Sequence, residues 1–284
     1  MVKYGKKRNI AISLLVGLAV VISGCGTQQG SNANSNASSP TPAAQSPAPV
    51  TKVELTISAA ASLTDALKEI QTTYEAKHSN VKLNFNFGAS GSLQQQIEQG
   101  APADLFLSAA TKNMQALVDK QLIDKGQQKN LLTNELVVVV PADAKQAISK
   151  EADLVNPSVK SIAVGIPESV PAGNYAKEAL TNAKLWDTIQ PKTVQGKDVR
   201  QVLQYVETGN SDAGFVYKTD ALTSKKVQVA FAVNPSWYTP VEYPIGIVKA
   251  TKHNKEAEEV YTYLQSKEAL DVFVKYGFTV PKSS

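Results

Sequence analysis

The 284-residue chain has one cysteine and two histidines. A lone cysteine excludes an intramolecular disulfide and a cysteine-rich metal site. His78 follows a helical stretch and His253 precedes one, both among polar residues, and this reads as two solvated side chains rather than catalysts. HExxH, Gly-x-Ser-x-Gly and P-loop patterns are missing, and Ser62 has no histidine nearby in sequence to serve as its base. No apolar run reaches the roughly 20 residues that a membrane-spanning helix needs. Surplus charge is missing too. Four of the 29 basic residues fall in the first 24 positions, which hold no acidic residue, leaving 25 basic against 25 acidic side chains. A neutral body excludes the electrostatic footprint of a nucleic-acid binder or a polybasic membrane patch.

What is present begins with a leader. Lys3, Lys6, Lys7 and Arg8 precede an apolar run from Ile10 to Ile22, the form of a secretory signal over residues 1–24. The run ends Ile22-Ser23-Gly24-Cys25, which resembles the lipobox of bacterial lipoproteins. That resemblance implies cleavage before Cys25, a diacylglyceryl anchor on its sulfur, and an extracytoplasmic protein tethered to the cell membrane. Residues 25–50 are then Ser, Asn, Ala, Gln and Pro with no charge, too polar to pack, and read as a disordered linker. Random-coil scaling of about 5–6 Å × √n gives such a tether a reach of roughly 25–30 Å.

Residues 51–284 form the folded body, long enough for two domains. Leu55–Ser58 reads as a buried strand, and Leu63, Ala66, Leu67 and Ile70 follow at helical spacing. Val81–Phe87 alternates as a strand before a helix over Leu93–Gln99 that Gly100 stops; Ala103–Leu107 and Lys112–Lys120 repeat the alternation. Strand–helix alternation of this kind points to an α/β fold with parallel pairing. Glu135–Val140 is the most apolar strand, and either a central strand or a crossing between two lobes. Further strands are expected at Ser161–Ile166, Ala213–Val216, Val227–Val233 and Val241–Val248, with helices over Asn174–Ala183, Arg200–Glu207, Lys255–Gln265 and Glu268–Tyr276.

One local arrangement recurs in this body: a strand, a turn of small or hydroxyl residues, and a helix start. It falls at Ser62, Ser90, Ala172 and Val199, two before the Glu135 strand and two after it, while Tyr217 ends another strand. Ser62 stands at an N-cap position. The first amides of a helix have no intrahelical partner and carry partial positive charge, so each arrangement is a small anion receptor. In open α/β sheets such turns gather at the carboxyl ends of strands. The donors are neutral. Arg200 is the nearest cation, and its expected work is surface pairing or orientation of its turn; Asp104 reads as a structural acceptor. Such a site suits a fully ionised oxyanion better than it suits nucleophilic catalysis, and no enzyme is expected.

The motifs AAASLTDAL, FGASGSLQQQIEQGAPADLFLSA, NELVVVVP, VGIPESVPAGNYAKEAL, KDVRQVL, DAGFVYKTDA, VEYPIGIV and KYGF run in this order through Leu55–Tyr276. In them the chain resembles the molybdate-binding proteins of bacterial ABC importers. The resemblance implies a two-lobed periplasmic-binding-protein type II fold, each lobe a mostly parallel sheet flanked by helices, with the ligand in the cleft between lobes. It implies lobe one over 51–133 plus 245–284 and lobe two over 134–244, the chain crossing at Leu132–Val137 and near Val241–Ile247. It assigns the oxyanion contacts to the hydroxyls of Ser62, Ser90 and Tyr217 and to the backbone N–H groups of Ala172 and Val199. The metal enters inside the oxyanion, with no side chain as its direct ligand and no cofactor. Molybdate or tungstate as cargo, an ABC permease as partner and a monomeric state complete the expectation. Sulfate or phosphate binding, an oxyanion-processing enzyme and a lipid-anchored receptor domain are the alternatives.

Overall fold

The computed structural model describes residues 52–281 apart from Gln146. The expected signal at 1–24, Cys25 and the linker at 25–50 lie outside the described residues. Among those described, no helix is long and apolar enough to cross a membrane.

The chain opens with β1 (Val53–Ala60), a single 3₁₀ turn at Ala61–Leu63, α1 (Thr64–Lys77), β2 (Val81–Gly88), α2 (Ser90–Glu98), β3 (Leu105–Leu107), α3 (Thr111–Asp119) and β4 (Ile123–Asn134). β5 (Leu136–Pro141), β6 (Ile162–Gly165), α4 (Pro171–Asn182), α5 (Trp186–Ile189), β7 (Thr193–Gly196), α6 (Val199–Glu207), β8 (Ala213–Tyr217), α7 (Lys218–Ala221) and β9 (Val227–Ala232) follow. β10 (Val241–Val248), α8 (Asn254–Leu264) and α9 (Lys267–Lys275) close it.

Local chemistry accounts for these elements. In α6 the buried residues Val199, Val202, Leu203 and Val206 recur at the spacing of one helix face, and Asp198 caps its start by accepting from Gln201 N. Gly100 and Gly209 follow α2 and α6 with φ of +86° and +71°, the left-handed conformation that ends a helix. β5 is an unbroken apolar run because it is an internal strand, with Leu136–Val140 buried throughout.

The strands make two sheets of five, ordered β2-β1-β3-β10-β4 and β7-β6-β8-β5-β9. Both are mixed, with four of the five strands in each running one way and a single strand against them. In the first, β1 runs parallel to β2 and β3, but β10 is antiparallel to β3 and β4. In the second, β6 runs parallel to β7 and β8, while β5 is antiparallel to β8 and β9. The antiparallel pairs have one cause: β5 and β10 are the strands by which the chain arrives from the other sheet, so they enter against the direction of the local βα units.

Only Glu135 separates β4 from β5, and residues 233–240 lead back from β9 to β10. Asn134 pairs with Val241 in the first sheet, and β10 belongs to that sheet over its whole length. A boundary between 244 and 245 would therefore cut a strand. The return crossing precedes Val241, and Asn134 belongs with the first sheet.

Candidate functional site

Ser62, Ser90, Ala172, Val199 and Tyr217 line one small cavity between the two sheets. All five are buried. Ser62 comes from the turn after β1, Ser90 is the first residue of α2, Ala172 the second of α4, Val199 the first of α6, and Tyr217 the last of β8. Among the described residues, no lysine, arginine or carboxylate lines the cavity. Its polar character comes from hydroxyls and from helix-start amides, which together offer an anion donors without an opposing charge.

The local details differ from the expected pattern in two places. Ser62 is not an N-cap: it sits within the 3₁₀ turn Ala61–Leu63, and α1 starts at Thr64 without a side-chain cap. Its hydroxyl is therefore free of helix capping and lies 2.9 Å from Tyr243 Oη. α2 begins at Ser90 rather than at Leu93, because small residues continue the helix without obstruction.

Hydrogen bonding fixes the direction of these hydroxyls. Ser90 Oγ accepts from Ala109 N at 2.9 Å, which leaves its own proton to donate elsewhere. Tyr217 Oη is buried and has no hydrogen-bond partner among the described residues. Complete burial, reinforced by the neighbouring Tyr243, pushes the Tyr217 hydroxyl well above its ordinary range and keeps it a donor. An unpartnered buried hydroxyl is costly, so one aimed into a polar cavity calls for an acceptor.

Contacts join the two sides around the cavity. Gly91 N donates to Ser169 O at 2.9 Å. A Cβ on Gly91 would stand 2.7 Å from that same oxygen, so glycine permits the approach. Tyr175 Oη donates to Ala109 O at 3.3 Å. Arg200 on α6 pairs through Nη2 with Asp65 of α1 at 2.7 Å and through Nε with Asp220 at 2.7 Å. The expected surface pairing is corrected here: Arg200 ties the two sides together beside the cavity. Sequence reasoning also passed over Asn134, Tyr243, Asp65 and Asp220, which stand within the quoted motifs but have their partners elsewhere in the chain.

His78 stacks on Tyr74 with ring centroids 4.2 Å apart, and neither histidine lines the cavity. Asp104 acts as a structural acceptor, taking Thr56 N at 2.7 Å and Thr251 Oγ1 at 2.5 Å. Among the described residues, no group of His, Cys, Asp and Glu could hold a metal ion directly.

Two sheets joined by crossing strands, with a cavity of helix starts between them, define a solute-binding protein of the type II periplasmic-binding-protein fold. The chain belongs to the bacterial extracellular solute-binding protein family, whose model matches residues 55–279. Its members bind solutes, and this chain is not an enzyme. It is 49% identical over 274 residues to the putative ABC transporter substrate-binding lipoprotein YvgL of Bacillus subtilis, covering 96% of this chain and 98% of the relative. It is 41% identical over 236 residues to the molybdate-binding protein ModA of Escherichia coli, covering 80% and 89%. Among solved structures, the substrate-binding domain of a putative molybdenum ABC transporter from Clostridium difficile matches with a TM-score of 0.63 and 44% identity, over 81% of this chain and all of that one.

Proposed function

We propose that this protein captures molybdate, and tungstate with it, in the cavity between its sheets and delivers it to an ABC importer. The observation that carries the reading is the donor set. Ser62, Ser90, Tyr217 and the starts of α4 and α6 converge on one buried space with no cation in its lining. The Escherichia coli relative named for molybdate and the Clostridium difficile relative named for a molybdenum transporter support the same ligand. In this reading the Ser62, Ser90 and Tyr217 hydroxyls and the Ala172 and Val199 N–H groups contact the oxyanion oxygens. Lobe one is residues 52–134 with 241–281, lobe two is 135–240, and a monomer closes around one ion.

The same donors set the selectivity. Molybdate, tungstate and sulfate are dianions without a proton near neutral pH, whereas phosphate keeps one. That proton needs an acceptor, and a buried group without its partner costs about 1–3 kcal/mol, so phosphate binds at least ~10-fold worse. Sulfate has shorter bonds to oxygen and is disfavoured by size. Calorimetry of the purified protein against the four anions tests this. Ser62→Ala and Ser90→Ala are expected to weaken molybdate by roughly 10–100-fold, as for hydrogen bonds to a charged group. Phosphate binding as tightly as molybdate would overturn the assignment, as would parental affinity in both variants.

A lipid anchor on Cys25 completes the proposal, supported by the Ile22-Ser23-Gly24-Cys25 sequence and by the Bacillus subtilis relative's description as a lipoprotein. Cys25→Ala is expected to leave the precursor unprocessed or to release the protein from membranes. A processed variant that stays membrane-bound would refute the anchor.

A further inference from the structure

Behind Ser62 lies a chain of hydrogen bonds that never reaches the cavity and ends at the crossing between the sheets. Asn134, the last residue of β4, is oriented from outside: its Oδ1 accepts from Glu135 N at 2.9 Å. Its amide nitrogen therefore faces inward, 2.9 Å from Thr219 Oγ1 and 3.2 Å from Tyr243 Oη. A carboxamide nitrogen only donates. Tyr243 Oη must accept from it, and among the described residues the tyrosine's own proton has Ser62 Oγ as its acceptor, at 2.9 Å. Ser62, having accepted from Tyr243, has its proton to give to the cavity it lines. The Tyr243 ring is held for this by edge contacts with Tyr217 and Phe278 at 5.9 and 5.3 Å. Its burial pushes the hydroxyl well above the ordinary range, so a proton is always there to pass on.

We infer that Asn134 and Tyr243 are positioning residues for specificity: through Tyr243, the Asn134 carboxamide fixes Ser62 as an obligate donor, so the site rejects oxyanions that carry a proton. This rests on the oxyanion reading above and deepens it. A serine alone could turn and present a lone pair to a protonated oxygen. With Asn134 donating from the far end, every link in the chain is polarised toward the ligand, and that adaptation is closed off.

Asn134→Asp reverses the sense at constant shape. The carboxylate accepts from Glu135 N, Thr219 and Tyr243. Tyr243 then offers its lone pair to Ser62, and Ser62 turns its proton away from the cavity and its lone pair toward it. The added charge repels all dianions alike and cancels in a ratio, so the readout is the ratio of molybdate to phosphate affinity, measured by calorimetry on the purified protein at pH 8. The expected result is a ratio at least ~10-fold smaller than the parent's, the size of one buried unmet hydrogen bond. Tyr243→Phe, which removes the relay without adding charge, is expected to shrink the ratio in the same direction by a few-fold and serves if Asn134→Asp does not fold. An unchanged ratio in the variants that fold overturns the inference. Parent protein that ignores molybdate but takes sulfate overturns the ligand reading alone, and the sulfate-to-phosphate ratio then judges the relay. Parent protein that binds none of these anions overturns both.

Discussion

Asp220 has no exposed surface and meets Arg200 Nε at 2.7 Å and Tyr217 N at 3.2 Å. Complete burial raises its carboxyl to about 6, and the attraction of Arg200 offsets only part of that. A carboxyl with a raised value in the fold binds its proton more tightly there than in the unfolded chain. Its contribution to stability is therefore greatest below about 3.8 and falls as pH rises through about 6. Asn at this position lacks that dependence. Denaturant unfolding at pH 4 and pH 7 is expected to show Asp220→Asn gaining on the parent as pH rises, by at most about 3 kcal/mol. A stability difference independent of pH would mean that the Asp220 carboxyl holds its proton no more tightly in the fold than in the unfolded chain. Such residues were closed to sequence reading for a physical reason. Ser62 and Ser90 advertise themselves through the small residues around them, but Ser62 and Tyr243 are partners across 181 positions. Asn134, Asp65 and Asp220 likewise acquire meaning only from partners that the fold brings up.

At the scale of elements, what the sequence made legible is what is coded locally. The apolar run of β5, the helical spacing of α6 and the glycines ending α2 and α6 each have a short-range cause, and each is where the spacing placed it. β4 is the opposite case. Ile123–Asn134 contains Asp124, Lys125, Gln127, Gln128 and Lys129, and of its twelve residues only Ile123, Leu131 and Leu132 are buried. It is an edge strand of the first sheet, polar on both faces for most of its length, and such strands carry no hydrophobic period. The mixed character of the sheets was hidden for a related reason: strand direction is set by the crossing chain, not by any residue within β5 or β10. The approach of α4 to β6 shows how fine the local requirement is. A Cβ on Gly173 would stand 1.9 Å from Gly165 O, so glycine alone lets the start of α4 settle against the end of β6 and place Ala172 at the cavity.

For the whole molecule, the question is what holds the two sides together around the cavity. Contacts that span them without involving a ligand donor include Gly91 to Ser169, Tyr175 to Ala109, and Arg200 between Asp65 and Asp220. A ligand favours the closed state only through contacts that both lobes make at once, and these protein–protein contacts add to the same equilibrium. The Arg200 anchor on the second sheet's side, Asp220, is buried, whereas Asp65 on the first is 40% exposed. Opening would therefore break the Asp65 bond and leave the Asp220 bond in place. A partly exposed pair of this kind contributes on the order of 1 kcal/mol, so Asp65→Asn is expected to weaken oxyanion binding about 5-fold, chiefly through faster release, with the five cavity residues untouched. Gly91→Ala should act in the same direction, because its Cβ meets Ser169 only when the sides are together. Small-angle scattering supplies the direct measure. The parent is expected to contract on adding saturating molybdate, and Asp65→Asn to need more molybdate for the same contraction. A radius of gyration that does not change with ligand would refute hinge closure. An Asp65→Asn midpoint equal to the parent's would confine Arg200 to holding α6 and α7 within the second lobe.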